Sequence, residues 1–196
     1  YWGFYQGVLT ETSEQAKYLL LSHILKTPFF TELRTNQQLG YLVWSFYDRA
    51  DRIPSIAFAI QSPVADPITL GERIDAFLDQ YYQTFSQMKP EEFVSLQQGL
   101  LSILEEKDSN LYDRSRRLEQ NMMLGYTNFD RHAQLVTSLK GITHQQMVVF
   151  FKQRLLAENT GRVIVRSVGK KHDVPKLEGC METKCVLEQI TEQFSR

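Results

Sequence analysis

The sequence predicts an α+β fold: a small, mostly antiparallel sheet covered on one face by several long helices. Three observations predict it. Short runs of strand-forming residues stand near both ends of the chain, at 1–8 and 161–168. Two further apolar runs, 40–47 and 53–61, are separated only by the charged stretch Asp48-Arg49-Ala50-Asp51-Arg52, as in a hairpin. Between hairpin and last strand lie about 90 residues of helix-period patterning with cap signals and no strand signal.

Taken in order, Tyr1–Val8 carries Trp2, Phe4, Tyr5 and Val8 and reads as a strand. Thr10-Glu11-Thr12-Ser13-Glu14 offers caps and early acids for a helix bearing Ala16, Leu19, Leu20, Leu21, Ile24 and Leu25. So wide a stripe implies cover on more than one side. Pro28 is expected to bend or interrupt it, with a helical turn resuming over Phe29–Gln38. Gly40 is expected to supply a backbone angle other residues avoid, and Tyr41 to open a strand. That strand, nearly continuous in apolar and aromatic residues, reads as central with both faces covered. In the next, Ile56, Phe58 and Ile60 alternate with smaller residues and define one larger-residue face.

Asp66-Pro67 is an N-cap followed by proline at the first helical position. Leu70, Ile74, Phe77, Leu78, Tyr81 and Phe85 then share a helical face. Lys89-Pro90-Glu91-Glu92 starts a helix striped by Phe93, Leu96, Leu100, Leu101 and Leu104. A helix over Leu111–Tyr126 uses Leu111, Leu118, Met122 and Met123, with Arg114, Arg116 and Arg117 on a solvated face paired with Asp113 and Glu119. Asn128-Phe129-Asp130-Arg131 begins another, Gly141 ends it, and Thr143-His144-Gln145-Gln146 forms a capping box for a helix with Met147, Phe150, Phe151 and Leu155. The main domain is set at 1–168. A polar tail follows at 169–196, with a short amphipathic helix on Val186, Leu187, Ile190 and Phe194.

Bulk properties exclude several classes. The 196 residues carry 22 basic and 23 acidic side chains, a net charge of −1, so nucleic acid is not an expected partner. No apolar run approaches the ~20 residues that span a bilayer, so no membrane is expected either. The chain begins at Tyr1 rather than Met and in mid-strand, so a piece of a longer protein is expected, with any targeting segment upstream. Cys180 and Cys185 fit a local disulfide and equally two separate thiols. The compartment stays open between periplasm and cytosol.

The chemistry-bearing stretch is Phe30–Ser45, where Arg34-Thr35-Asn36-Gln37-Gln38 forms a polar joint between helix and strand. Taken alone, an arginine in a last helical turn serves as well to bond free carbonyls, and a tyrosine at a strand start to pack. The motif Leu33-Arg34-Thr35, two variable positions, then Gln38-Leu39-Gly40-Tyr41 resembles a signature of the insulinase/pitrilysin family of zinc metallopeptidases, in the C-terminal half of those enzymes. Met88–Phe93 and the stretch from Asn128 to Phe151 are similar to later parts of the same family domain, so the resemblance covers about 1–168.

It implies the last of four related α+β domains, which pair into halves that close over a peptide. It implies that Arg34 and Tyr41 are auxiliary catalytic and substrate-binding residues, holding the substrate backbone and supporting the oxyanion. It implies zinc in the full-length enzyme, held by an upstream domain. The family's H-x-x-E-H zinc motif is absent here: His23, His132, His144 and His172 begin or end no such pattern, and His23 reads as a packed or rim residue. No Gly-x-Ser-x-Gly elbow or phosphate-binding glycine pattern occurs.

The expected function is therefore a substrate-binding, catalysis-supporting domain of a zinc metalloendopeptidase, inactive alone. Its partners are the upstream domains and a peptide. The alternative is a non-catalytic peptide-binding or scaffold member of the same fold family. Self-association into a homodimer through a surface exposed by isolation is a third reading.

Overall fold

A computed structural model of the chain describes residues 1–8, 10–126, 130–156 and 161–169. The elements run β1 (Trp2–Gln6), α1 (Thr12–Phe30), a π-helical turn (Thr31–Asn36), β2 (Leu42–Ala50), β3 (Ile53–Gln61), α2 (Pro67–Ser86), α3 (Pro90–Glu105), α4 (Leu111–Met123), α5 (Arg131–Lys140), α6 (His144–Phe151), a second π-helical turn (Lys152–Leu156) and β4 (Arg162–Val165). The chain divides into Tyr1–Arg166 and Ser167–Arg196, and only 167–169 of the second part are described. The expected tail helix, Cys180, Cys185, His172 and the Asn128-Phe129 helix start lie outside the described residues. Among the described residues no helix is long and apolar enough to cross a membrane.

The sheet has four antiparallel strands in the order β2-β3-β1-β4, with helices packed on one face. The α+β class is as the sequence predicts, but the strand roles differ. β2 is an edge strand with Trp44 half exposed, whereas β3 is interior and buried on both faces from Pro54 to Ile60. On the helical side Ile56, Phe58 and Ile60 enter the core as the alternation predicts. On the other side the register sets Ala59 between Trp44 and Trp2, and Ala57 between Phe46 and Phe4. The rings cover these small side chains: Trp2 stacks on Phe4 at 5.9 Å and meets Phe46 edge-on at 6.0 Å. Aromatic residues on β2 thus reflect this lateral packing, not a second layer.

α1 is buried on several sides, through Leu20, Leu21, Ile24, Leu25 and Phe29, and is the central helix of the core. Of the two effects expected of Pro28, a bend or an interruption, the structure shows no interruption. Proline removes one hydrogen bond, yet the helix runs on to Phe30 and widens into the π turn only after that. Phe29 packs on Phe58 at 5.0 Å and on Phe77 at 5.4 Å, and this burial holds the last turn where the missing bond would loosen it. The hairpin turn is also tighter than predicted. Ala50 pairs with Ile53, and Asp51 alone takes a left-handed φ of 56°.

The caps follow the sequence. Asp66 Oδ1 accepts from the backbone N–H groups of Ile68 and Thr69 at 2.8 and 3.1 Å, Pro67 is the first helical residue, and the Thr143–Gln146 capping box is complete. α4 departs from expectation. Leu111, Met122 and Met123 are exposed, and only Asn121 of that helix is buried. Arg117 pairs with Asp108 at 2.6 Å instead of with Asp113, whose N–H donates to the capping Asn110 Oδ1 and whose carboxylate accepts from Asn110 Nδ2. The reason is topological: Asp108 lies in the α3–α4 connection, outside the i+3/i+4 spacing that a single-helix reading considers.

The cap at Asp66 generates a prediction. Thr69, first by its hydroxyl and then by its N–H, holds the Asp66 carboxyl below its ordinary range. A depressed folded-state value means the stabilisation is full above the unfolded value and is lost as pH falls through the folded one. Asp66→Ala should lower unfolding free energy by about 1 kcal/mol at neutral pH. The deficit relative to wild type should vanish on acidification below the ordinary carboxylate range, as read by urea denaturation.

Candidate functional site

The π turn decides how the joint is built. Within Thr31–Asn36 the wider register lets Gln37 N–H donate to the Glu32 carbonyl, five residues back, at 2.9 Å. The same register places the Glu32 carboxylate under two side-chain amides. Its Oε2 accepts from Asn36 Nδ2 at 2.8 Å and its Oε1 from Gln37 Nε2 at 2.9 Å. Gln37 first, and then Asn36, hold this carboxyl below the usual carboxylate range. Sequence reasoning missed this clamp. The Glu32–Asn36 spacing of four is visible in an α-helical reading, but the Glu32–Gln37 spacing of five becomes contiguous only in a π turn.

The chain then reverses. Gln38 carries the left-handed φ of 54°, so the unusual angle belongs to it and not to Gly40. Gly40 is required for a different reason. A Cβ there would lie 2.1 Å from the Gln61 carbonyl oxygen and 2.9 Å from its carbon, both backbone atoms. The glycine lets the joint pass directly over the end of β3. The next residue pair, Leu42 with Gln61, starts the β2–β3 ladder.

Tyr41 follows at once, just outside β2 rather than opening it. It is 80% exposed, so it is not a packing residue. The half-buried Arg34 extends its guanidinium over the Tyr41 ring, with Cζ 5.6 Å from the centroid. The structure therefore brings the two sequence-predicted site residues together. Among the described residues no hydrogen bond or ion pair engages either side chain, which leaves the phenol O–H and the guanidinium N–H groups as free donors on one surface. Phe30 and Trp44, on either side of the joint in sequence, are also exposed. Such a surface can bind carbonyl oxygens and stabilise charge developing on one.

Among the described residues the histidines do not contribute. His144 Nε2 bonds the Phe85 carbonyl at 2.8 Å, and its ring packs against Phe85 and Phe93. A ring nitrogen of His132 contacts the Leu104 carbonyl. Burial and then Lys26 lower the pKa of His23, a half-buried residue of α1. Among the described residues no group of three His, Cys, Asp or Glu side chains could hold a metal ion, so these residues do not fit a zinc site. An open cavity of about 810 Å³ beside α4 and α5 is lined by Asp108, Arg117 and His132 among others, and includes neither Arg34 nor Tyr41.

Comparison with known proteins gives consistent results. The family described as "PQQ synthase PqqF-like, C-terminal lobe domain 4" matches residues 20–119. Protease 3 of Escherichia coli (strain K12) is 30% identical over 158 residues, 81% of this chain and 16% of that protein. Human insulin-degrading enzyme is 32% identical over 155 residues, 79% of this chain and 15% of its own length. The chain thus spans about a sixth of the length of these relatives. A crystal structure of pitrilysin superposes with a TM-score of 0.73 at 28% identity, covering 81% of this chain and 17% of that one.

The Gly40 contact yields a test. Gly40→Ala should destabilise the chain by about 2 kcal/mol or more in urea denaturation, because backbone must move to admit the methyl group. Gly141→Ala should be far milder, since a Cβ there meets nothing closer than 3.6 Å.

Proposed function

The chain belongs to the insulinase/pitrilysin family of zinc metallopeptidases, as a PqqF-like C-terminal lobe domain 4, and from that premise we propose that it is the substrate-side half of a composite peptidase site. Zinc and the general base come from another domain of a longer protein. Arg34 and Tyr41 bind the substrate backbone and donate to the oxygen that becomes negative when the peptide carbonyl turns tetrahedral. The partners are the other domains and a peptide, and this chain alone does not hydrolyse peptides.

The observation that carries the proposal is the juxtaposition of Arg34 and Tyr41 at 5.6 Å with their donors unused. The chemistry follows from the donor types. A tetrahedral adduct concentrates charge on one oxygen, and a donor aimed at that oxygen is worth more in the transition state than in the ground state. The guanidinium is charged at any working pH, so it binds a carbonyl before reaction as well as the oxyanion during it. The phenol is neutral and gains most as charge develops. Both are set by backbone constraints on either side, the π turn at Arg34 and the Gly40–Gln61 approach beside Tyr41, so little reorganisation is needed.

Tyr41→Phe in the longer enzyme should lower kcat by about 10²–10³-fold with a smaller change in KM. The melting temperature should hold, because the hydroxyl bonds nothing within the described residues. A kcat equal to wild type would overturn the assignment. Peptide binding without hydrolysis in the unmodified longer protein would instead establish the non-catalytic, peptide-binding reading.

A further inference from the structure

The face of the sheet turned away from the helices departs from the usual pattern. An antiparallel sheet covered by helices on one side is ordinarily polar on the other. Here the register lines up two apolar rows across all four strands. Trp44, Ala59, Trp2 and Val165 form one row, and Phe46, Ala57, Phe4 and Val163 form the next. No side chain in either row is charged, and the two indole N–H groups are their sole hydrogen-bond donors. The rows are braced from within, because Trp2 stacks on Phe4 and meets Phe46 edge-on across β3.

The patch reaches solvent all the same. Trp2, Trp44, Val163 and Val165 are exposed, and Phe4 and Phe46 are half-buried. Polar residues bound it along the strands: Asp48, Ser55 and Gln6 beyond Phe46, and Gln61 beside Leu42 beyond Trp44. A contiguous apolar patch with a polar rim marks a contact surface. What fits it follows from what it lacks. A sheet recognises an extended peptide through main-chain hydrogen bonds at an open edge. β3 and β1, which carry the middle of this face, are paired on both edges, so nothing there sets a peptide's register. Apolar area without polar anchors is instead the character of a permanent contact, which resembles a domain core cut in half. A partner for such a contact lies within the same polypeptide. The chain spans about a sixth of the length of its relatives, and the family it matches is one domain of a lobe.

We propose that a second domain of the longer protein packs an apolar surface of its own on this open face, with Trp2 and Trp44 at the centre of the contact. The inference rests on the reading of this chain as one domain of a longer enzyme. The sheet is then covered on both sides, by its own helices on one and by the neighbouring domain on the other.

Hydroxyl-radical footprinting read by mass spectrometry tests this, on the chain alone and on the longer protein. In the chain alone Trp2, Trp44 and Phe46 should be modified readily, and the fully buried Tyr18 should not. In the longer protein, without peptide and at every concentration, modification of the first three should fall toward the Tyr18 level. Equal modification in the two proteins overturns the proposal. So does protection that appears only when peptide is added, which would give the face to the substrate. Protection that grows with concentration, in either protein, would give it to a second copy and overturns the proposal as well. The Tyr41→Phe form of the longer protein should show the same protection as wild type, so the outcome is independent of the catalytic role of Tyr41.

Discussion

The contact between Gly40 and the Gln61 carbonyl is the constraint on which the rest of the presented surface depends. At that point two backbone segments approach more closely than any side chain permits. The approach locks the joint to the end of β3, the interior strand that is buried on both faces from Pro54 to Ile60. On the helical side of the joint, the π turn is tied down by the Glu32 clamp. Between these two anchors the chain spans only Gln37–Leu39, and one of those residues is in the left-handed region. Arg34 and Tyr41 thus belong to two rigid elements joined by a segment with almost no freedom. Loops that carry chemistry are usually less restrained than this.

Much of the fold was legible because its signals are local. The helix periods of α2 and α3, the Asp66-Pro67 start, the Thr143–Gln146 box and the Ile56/Phe58/Ile60 alternation each depend on residues a few positions apart, and each appears in the structure as read. The errors have one origin, which is that they concern what lies across from a residue. Trp44 and Phe46 imitate a buried strand because a lone sequence cannot reveal that their partners are alanines to be covered. Pro28 reads as a bend or an interruption, and the interruption is absent because of the burial of Phe29 against Phe58 and Phe77, which is a tertiary fact. Gly40 reads as a left-handed residue because glycine serves both unusual angles and close approaches, and only the position of Gln61 separates the two uses.

The site was legible in part. Arg34 and Tyr41 were identified through a family motif, and their mutual geometry could not be read from spacing. In an ideal helix-to-strand connection a separation of seven residues fixes no distance. Here the π turn and the reversal at Gln38 fold that separation back on itself. The arginines at Tyr126 show the converse case. Arg52 looks like an ordinary turn charge, and Arg131 like a helix-start residue, until Gln15 and Tyr126 assemble them from four parts of the chain.

The sequence contains two tryptophans, and the register puts both on the open side of the sheet, flanking the same alanine. Both indoles are roughly half accessible, at 40% and 49%, and neither is in the helical interior. The tryptophan fluorescence of this chain is therefore a local probe. Its emission maximum and quenching by iodide or acrylamide report on whatever approaches that one face, while rearrangement among the helices leaves them unchanged.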